Sequence, residues 1–182
     1  MKRVLLAALL LLPLGACREE QVATVPPVSL TADAVGRYCG MNLVEHKGPK
    51  GQVILAEGLD PFWFSSARDT VAFSMMPEEP KDYAALYVSD MGRAQSWDDP
   101  GADNWVDATQ AFYVVESSAQ GGMGGQELVP FSTTEAAEAF AADKGGTVLA
   151  FADLTFEQVL GDGTAGEDFP DVDPAEHEHA TH

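Results

Sequence analysis

One order of predicted elements occurs twice along this chain, and that repetition constrains the fold more than any other feature of the sequence. In the first half the pattern of apolar residues predicts two strands, a helix and a strand, at 34–38, 52–56, 62–74 and 85–89. In the second half it predicts the same series, with strands at 111–115, 127–131 and 147–151 and a helix before the last of them. A Gly-containing loop follows the first strand of each half.

The helix of the second half has the clearest end signals. Ser132-Thr133-Thr134-Glu135 has the composition of a capping box, and Gly145-Gly146 ends the helix. Each half would bury one sheet face under one helix, so neither half is expected to be stable alone. We therefore predict an α+β fold of two packed β-β-α-β half-domains, at about 32–91 and 105–160, related by a pseudo-twofold axis. A short final helix is expected within 153–160.

The first 16 residues have the pattern of a targeting segment. Lys2-Arg3 precede a nine-residue apolar run, Val4 to Leu12, which is shorter than the roughly 20 residues of a transmembrane helix. The segment ends at Leu14-Gly15-Ala16-Cys17, which resembles the lipobox of bacterial lipoproteins, where a peptidase cuts before the cysteine and the thiol carries the lipid. We expect a signal peptide at 1–16 and a lipid-anchored tether at 17–31. A plain secretory signal with an incidental Cys17 is the alternative.

The acidic balance of the chain excludes one class of partner. Ten Lys and Arg against 29 Asp and Glu give a net charge of −19, and removal of Lys2 and Arg3 leaves 8 against 29, or −21. Such a surface repels nucleic acid and anionic lipid headgroups, so no nucleic-acid partner is expected. From 161 to 182 the chain is acidic and rich in Gly and Pro, and we expect a disordered tail. Its histidines, His177, His179 and His182, could add only weak binding of divalent metals.

The number of cysteines limits the kinds of disulfide and metal site that the chain can form. Two cysteines cannot form a disulfide scaffold with several bridges or a zinc site of four thiolates. If Cys17 is acylated, Cys39 is the one free thiol in an oxidising compartment, where an unpaired thiol risks oxidation unless it is buried or has a function. No Ser-His-Asp setting, phosphate-binding loop or HExxH motif is apparent in the sequence.

Cys39-Gly40-Met41 places a thiol and a thioether two residues apart, with a glycine between them that does not crowd the turn. These soft donors suit Cu(I) and not Mg²⁺ or Ca²⁺, and thioethers are not usual ligands of zinc. Met123 lies between two glycine pairs, and packing of the halves about a twofold axis would bring its loop to Cys39 and Met41. His46, in a loop of Lys, Gly and Pro, is a further candidate ligand or an exposed side chain. Core packing for the Cys-x-Met pair and a surface position without a role for Met123 are the alternatives.

Several separated motifs, in this order along the chain, carry a family resemblance. They are the lipobox, Cys39-Gly40-Met41, the segment EHKGPKGQ from Glu45 to Gln52, Phe64-x-Ser66-x-Arg68-Asp69, and Gly122-Met123-Gly124-x-x-Glu127-x-x-Pro130-Phe131. Together they resemble the NosL family of periplasmic copper-chaperone lipoproteins, over nearly the whole stretch from Cys17 to about Phe151. The acidic tail matches none of these motifs.

The resemblance implies both a structure and an activity. It implies two β-β-α-β halves and delivery of Cu(I) toward the multicopper sulfide centre of nitrous oxide reductase, with the reductase apoprotein and a membrane ABC-type complex as partners. It maps the metal site onto Cys39 and Met41, with Met123 and His46 as companions, and it implies a periplasmic protein on a lipid anchor. The family's fold is related to that of organomercurial lyases, but those enzymes need paired cysteines, and this chain offers only Cys39. A Cu(I) carrier that is not an enzyme is therefore the leading hypothesis, ahead of a metal-free assembly scaffold and of a lyase-like enzyme.

Overall fold

The computed structural model describes residues 25–58 and 60–161. Its strands are β1 (Gly51–Leu55), β2 (Phe62–Phe64), β3 (Tyr83–Ser89), β4 (Trp105–Asp107), β5 (Phe112–Val115), β6 (Val129–Phe131) and β7 (Thr147–Ala150). Its α-helices are α1 (Ala67–Met75), α2 (Thr134–Lys144) and α3 (Phe156–Leu160), and 3-10 helices lie at Leu43–Glu45 and Phe151–Asp153. None of these described helices is both long enough and apolar enough to cross a bilayer. The predicted signal peptide, the first part of the tether and the tail after Gly161 lie outside the described residues.

Two antiparallel sheets form the framework, in the strand orders β2-β1-β3-β4 and β6-β5-β7. In the first sheet, Gln52 of the central strand β1 lies between Trp63 of β2 and Tyr87 of β3. In the second sheet, β5 is flanked by β6 and β7. Few helices accompany these sheets, and the predicted α+β class is confirmed. In both sheets the central strand pairs with the next strand and with the strand that follows the helix. The half-domain repeat with its pseudo-twofold axis stays a prediction.

The predicted strand at 34–38 is wrong. Val35 and Gly36 make only isolated bridges, to Asn42 and Trp63 respectively. The chain reverses after Gly36, because the Gly40 amide donates to the Gly36 carbonyl at 2.8 Å. A segment that folds back on itself within a few residues cannot pair along a sheet, so this part of the chain is a turn.

The predicted helix at 62–74 is wrong over its first five residues, because 62–64 form strand β2. Phe62 and Phe64 pack with the main core while Trp63 contacts Trp105, which is the alternation of a strand. The helix begins after Ser66, whose hydroxyl accepts a hydrogen bond from the Asp69 amide at 3.0 Å. The spacing of apolar residues alone did not distinguish the short aromatic strand from the helix that follows it.

Strand β4 was not predicted. The first two strands of the structure also lie later in the sequence than the two predicted strands at 34–38 and 52–56, so a different loop of the first half lies between them. The loop between β1 and β2 is 56–61. The segment with Cys39 precedes β1 and is therefore not the counterpart of the loop between β5 and β6, which contains Met123. The predicted contact of equivalent loops about a twofold axis therefore rested on a loop correspondence that the fold does not have.

One apolar core joins the two sheets. Val53 of the first sheet and Tyr113 and Val115 of the second belong to one buried cluster, together with Phe73 of α1 and Val159 of α3. A smaller cluster under α2 has four buried members, Val114, Val129, Phe131 and Ala137. Because the main cluster draws on both sheets, burial of apolar surface holds them together as one unit.

The last residues assigned to the tether lie against the first sheet. The Gln52 side chain, which is fully buried, accepts a hydrogen bond from the Val28 amide at 2.8 Å and donates to the Val28 carbonyl at 2.9 Å. The Leu30 amide donates to the Ala102 carbonyl at 2.9 Å, and the Tyr87 hydroxyl donates to the Val25 carbonyl at 2.6 Å. The domain boundaries stay a prediction, but contact with the sheet begins before residue 32.

Candidate metal site

The Cys-x-Met pair lies in a tight turn that glycines make possible. The Gly36 amide donates to the Met41 carbonyl at 2.9 Å, and Gly40 has a φ of +65°, a conformation that glycine adopts at little cost. A Cβ on Gly36 would lie 2.5 Å from Cys39 Sγ, so a larger residue there would displace the sulfur. Gly36 therefore leaves room for the thiol in its present position.

Neither residue of the Cys-x-Met pair is buried. Cys39 is a free, half-buried thiol whose Sγ lies 3.9 Å from the Met41 carbonyl oxygen, which is a weak contact. The Met41 side chain is 39% exposed. A thiol and a thioether on one short turn, neither of them committed to the core, agree with a ligand role better than with the core-packing alternative.

His46 follows the turn at the end of the 3-10 helix Leu43–Glu45. The helix is capped by Asn42, whose side chain accepts from the Val44 amide at 3.1 Å, and the His46 amide donates to the Leu43 carbonyl. The His46 Nε2 atom is buried and has no hydrogen-bond partner among the described residues. A buried ring nitrogen without a partner is costly, and a bound metal ion would satisfy it.

Met123 lies at the tip of the loop between β5 and β6. The loop is closed by the Gly121 amide, which donates to the Gly125 carbonyl at 2.9 Å, and by the positive φ of Gly124. Met123 is 55% exposed, which is unusual for a large apolar side chain. The thioether is therefore held outward on a loop whose backbone is hydrogen-bonded to itself.

The two loops touch at Gly122. A Cβ on Gly122 would lie 2.5 Å from His46 Cβ and 3.0 Å from the Lys47 carbonyl oxygen. The absence of a side chain thus allows the Met123 loop to lie directly on the segment that carries His46. The loops meet although they are not equivalent in the topology, and a shared ion for Met123 and Cys39 stays a prediction.

Glu127 ties the Met123 loop to the start of α1. Its Oε1 accepts hydrogen bonds from the Arg68 and Leu128 amides, both at 3.0 Å, while the Arg68 Nε donates to the Gln126 carbonyl at 2.6 Å. A cavity of about 90 Å³ beside these groups is lined by Met123, Asp69 and Glu127 among others. The motif of Arg68 and the motif of Glu127, which lie far apart in the sequence, therefore meet in the fold.

The charge state of Glu127 is set by burial. The side chain is 1% exposed, and its Oε2 has no partner among the described residues. Burial raises the pKa of Glu127 to about 8, against the lowering effect of the Arg68 and Leu128 amides. Burial also lowers the pKa of Lys50 to about 8, which Glu127 opposes. No role was predicted for either residue from the sequence. Both residues belong to the quoted family motifs, and this membership was the one indication in the sequence that they matter.

The predicted ligand set relies on sulfur. In the described residues, no group of three or more His, Cys, Asp and Glu side chains is placed to hold one metal ion. Cys39 and Met41 share one turn, and His46 lies under the loop of Met123, so the donors at hand are thiol, thioether and imidazole. This donor set fits a soft cation and does not fit a hard one. Cys17, the predicted lipidation site, lies outside the described residues.

Comparison with known proteins agrees with the motif resemblance. The sequence model of the NosL family matches residues 27–159. The chain is 47% identical over 158 residues to the copper-binding lipoprotein NosL of Achromobacter cycloclastes, covering 86% of this chain and 81% of that protein. It is 36% identical over 152 residues to the copper-binding lipoprotein NosL of Stutzerimonas stutzeri, covering 82% of this chain and 78% of that protein.

A solved structure shows the same fold. The crystal structure of the copper chaperone NosL from Shewanella denitrificans superposes with a TM-score of 0.68 at 31% sequence identity, covering 72% of this chain and 97% of that one. The match of the family model therefore extends over both sheets and the loops that carry Cys39, His46 and Met123. On this basis the chain belongs to the NosL family.

Proposed function

We propose that this protein binds Cu(I) through Cys39 and Met41, with His46 and Met123 as further ligands, and carries the ion to a protein acceptor. The observation that carries the proposal is the glycine-tightened turn that holds a half-buried free thiol two residues from an exposed methionine. The buried, unpartnered Nε2 of His46 supports it, as do the names of the relatives, which are copper-binding lipoproteins.

The chemistry of these donors suits a carrier. The Cys39 thiolate would supply the one anionic ligand, and thioether sulfurs and an imidazole would complete the shell without further charge. Thioethers bind weakly, so the ion is held well enough to be carried and loosely enough to be released. The exposed positions of Met41 and Met123 leave an acceptor's ligands room to approach. Copper is therefore cargo in this proposal, and no catalytic role is assigned to the protein.

The proposed place of action is the periplasmic face of a bacterial membrane. Acylation of Cys17 would anchor the protein there, in line with the lipoprotein names of the relatives. Between Cys17 and Val25, the first residue described, the eight-residue step can span at most about 29 Å. Because Val25 and Val28 are hydrogen-bonded to the first sheet, the domain would remain close to the bilayer.

The proposed acceptor is the apoprotein of nitrous oxide reductase, at its multicopper sulfide centre, with a membrane ABC-type complex as the assembly partner. This step rests on the family resemblance of the motifs that contain Cys39, Arg68 and Met123. The net charge of −19 favours a partner with basic surface and disfavours nucleic acid.

Binding is tested by anaerobic titration of Cu(I) into the reduced protein in competition with a Cu(I) chelator. We expect a tight complex of near-stoichiometric composition. Absence of a complex would favour a metal-free assembly scaffold, and turnover of an organomercurial would favour a lyase. Delivery is tested separately by mixing the loaded protein with the apo-reductase and measuring copper in each protein after separation. Copper that stays on the chaperone would contradict delivery while leaving binding intact.

A further inference from the structure

A cavity with an aromatic wall lies beside the candidate metal site. It measures about 570 Å³ and is bounded by Trp97, by Phe140 and Lys144 of α2, and by Lys47 and Gln120. The rings of Trp97 and Phe140 are inclined by only 18° with centroids 6.3 Å apart, and the Trp97 Nε1 donates to the Gln120 carbonyl at 3.2 Å. The wall is therefore held in place and presents a surface for a further ring or apolar side chain.

The charged groups of this cavity are all positive. Lys47 and Lys144 are the two charged residues that line it, in a chain with a net charge of −19. Lys47 has no ion-pair partner among the described residues, and Lys144 pairs at 3.1 Å only with the adjacent, exposed Asp143. Pairs of this exposed kind contribute little, so both ammonium groups are available to carboxylates. The occupant that fits is an aromatic side chain with acidic neighbours.

We propose that residues 167–173 of this chain, the sequence EDFPDVD, bind in this cavity. Phe169 is the one aromatic residue after Gly161, and it would pack against Trp97 and Phe140. The carboxylates around it, Glu167, Asp168, Asp171 and Asp173, would face Lys47 and Lys144. Because the segment belongs to the same chain, its effective concentration at the cavity exceeds that of a free acidic peptide.

The exit of the tail from the fold is close enough to the cavity for this binding. Arg68 donates to the Val159 carbonyl at 2.7 Å and to the Gln126 carbonyl at 2.6 Å, and Gln126 forms an antiparallel bridge with Gln120 at the cavity rim. These contacts place the Cα atom of Val159 within about 18 Å of the Cα atom of Gln120. The ten residues from Val159 to Phe169 span up to about 33 Å when extended.

The binding itself does not depend on the proposed copper function.

The test is NMR spectroscopy of the full mature chain with Cys17→Ser, at low ionic strength. We expect nuclear Overhauser contacts between the Phe169 ring and the rings of Trp97 and Phe140. Phe169→Ala should abolish these contacts and shift the Trp97 indole signal, whereas Phe156→Ala, an exposed ring outside the cavity, should leave both unchanged. Random-coil shifts throughout 167–173, with an indole signal that Phe169→Ala does not move, would overturn the proposal.

Charge reversal gives an independent test with its own control. Lys47→Glu with Lys144→Glu should abolish the contacts, and Asp168→Lys with Asp171→Lys in the same chain should restore them. Contacts that persist in the variant with Lys47→Glu and Lys144→Glu would overturn the assigned role of the two lysines. Contacts that occur only between labelled and unlabelled molecules in a mixed sample would assign the cavity to a second copy and overturn the intramolecular binding.

Discussion

At the scale of single residues, Glu127 is the point where three quoted motifs meet. It accepts from the amide of Arg68, it lies in the motif of Met123, and it interacts electrostatically with Lys50. Glu127 and Lys50 are buried ionisable residues, and Arg68 is partly buried. Sequence reasoning attended to the sulfur ligands and assigned no role to these groups, because only the fold reveals that they are neighbours.

The burial of Glu127 predicts a specific dependence of stability on pH. Its folded-state pKa of about 8 lies above its ordinary value of 4.5, so between these values the folded protein holds a proton that the unfolded chain has released. This contribution to folding is complete below about pH 4.5 and is lost as pH rises to about 8, by at most about 1.4 kcal/mol per pH unit. Glu127→Gln should remove that loss, as measured by urea unfolding at several pH values.

The amide of glutamine keeps an oxygen for the Arg68 and Leu128 amides, so the variant isolates the charge. Glu138→Gln, at an exposed position of α2, is the matched control and should follow the parent protein. Parallel stability curves for Glu127→Gln and the parent from pH 4.5 to 8 would contradict the assignment.

The position of Gly122 gives a prediction about the contact between the loop of Met123 and the segment that carries His46. In Gly122→Ala the new Cβ would lie 2.5 Å from His46 Cβ, so the loops must separate. We expect a loss of about 1–3 kcal/mol in the free energy of unfolding and weaker Cu(I) binding. Gly125→Ala, in the same loop but with no atom within 4 Å of the new Cβ, should resemble the parent in both measurements. Equal behaviour of the two variants would show that contact between the loops is unimportant.

At the scale of elements, the sequence predicted best where end signals are strong. Helix α2 was expected from its polar start and its Gly-Gly end, and it runs from Thr134 to Lys144. The cap is Thr133, whose hydroxyl accepts from the Ala136 amide at 3.3 Å, and not the first residue of the predicted capping box, Ser132. Helix boundaries set by side-chain hydrogen bonds can thus be predicted to within one residue.

Short strands were predicted least well. Strand β2 has three residues, all aromatic, and its spacing also fits the first turn of a helix. Strand β4 has three residues that pair only with the end of β3. Elements this short take their conformation from the neighbouring strand, and that pairing is absent from the local sequence. These errors affected the prediction of the site, because the misplaced strands made the Cys39 segment and the loop of Met123 seem equivalent in the topology.

The cap of α2 yields a prediction with a control one residue away. Thr133→Ala removes the acceptor of the Ala136 amide and should lower the free energy of unfolding by about 0.5–2 kcal/mol. Ser132→Ala changes an exposed side chain and keeps the Ser132 amide, which donates to Asp90 at 3.2 Å, so it should be close to neutral. Chemical denaturation of both variants distinguishes them. A larger loss from Ser132→Ala than from Thr133→Ala would mean that the cap is misassigned.

At the scale of the whole molecule, the candidate ligands were predictable and their arrangement was not. Cys39 and Met41 are two residues apart in the sequence, with Gly40 between them, so their shared turn could be anticipated. Contact between the loops of His46 and Met123 depends on Gly122 and on the packing of two sheets through one core. The loop of Met123 lies against His46 and Lys47, and its predicted approach to Cys39 stays a prediction.

The lipid anchor gives a prediction about the location of the protein. Cys17→Ser removes the one expected acylation point and should move the protein from the membrane fraction to the soluble fraction. The metal site should be unaffected, since the proposed ligands lie beyond the segment that Val28 fastens to the sheet. Cys39→Ser is the control and should remain in the membrane fraction. A Cys17→Ser protein that still sediments with membranes would count against lipidation.

The central claim is that the Cys39 thiolate is the dominant ligand of Cu(I), and an anaerobic competition titration with a Cu(I) chelator tests it directly. Cys39→Ser removes the one anionic donor and should weaken binding by about 3 kcal/mol or more, roughly 100-fold. Met41→Leu, His46→Ala and Met123→Leu each remove a neutral donor that water or another ligand partly replaces, and each should cost about 1.4 kcal/mol, roughly tenfold. A Cys39→Ser protein that binds Cu(I) as tightly as the parent would show that the thiolate-centred site is wrong.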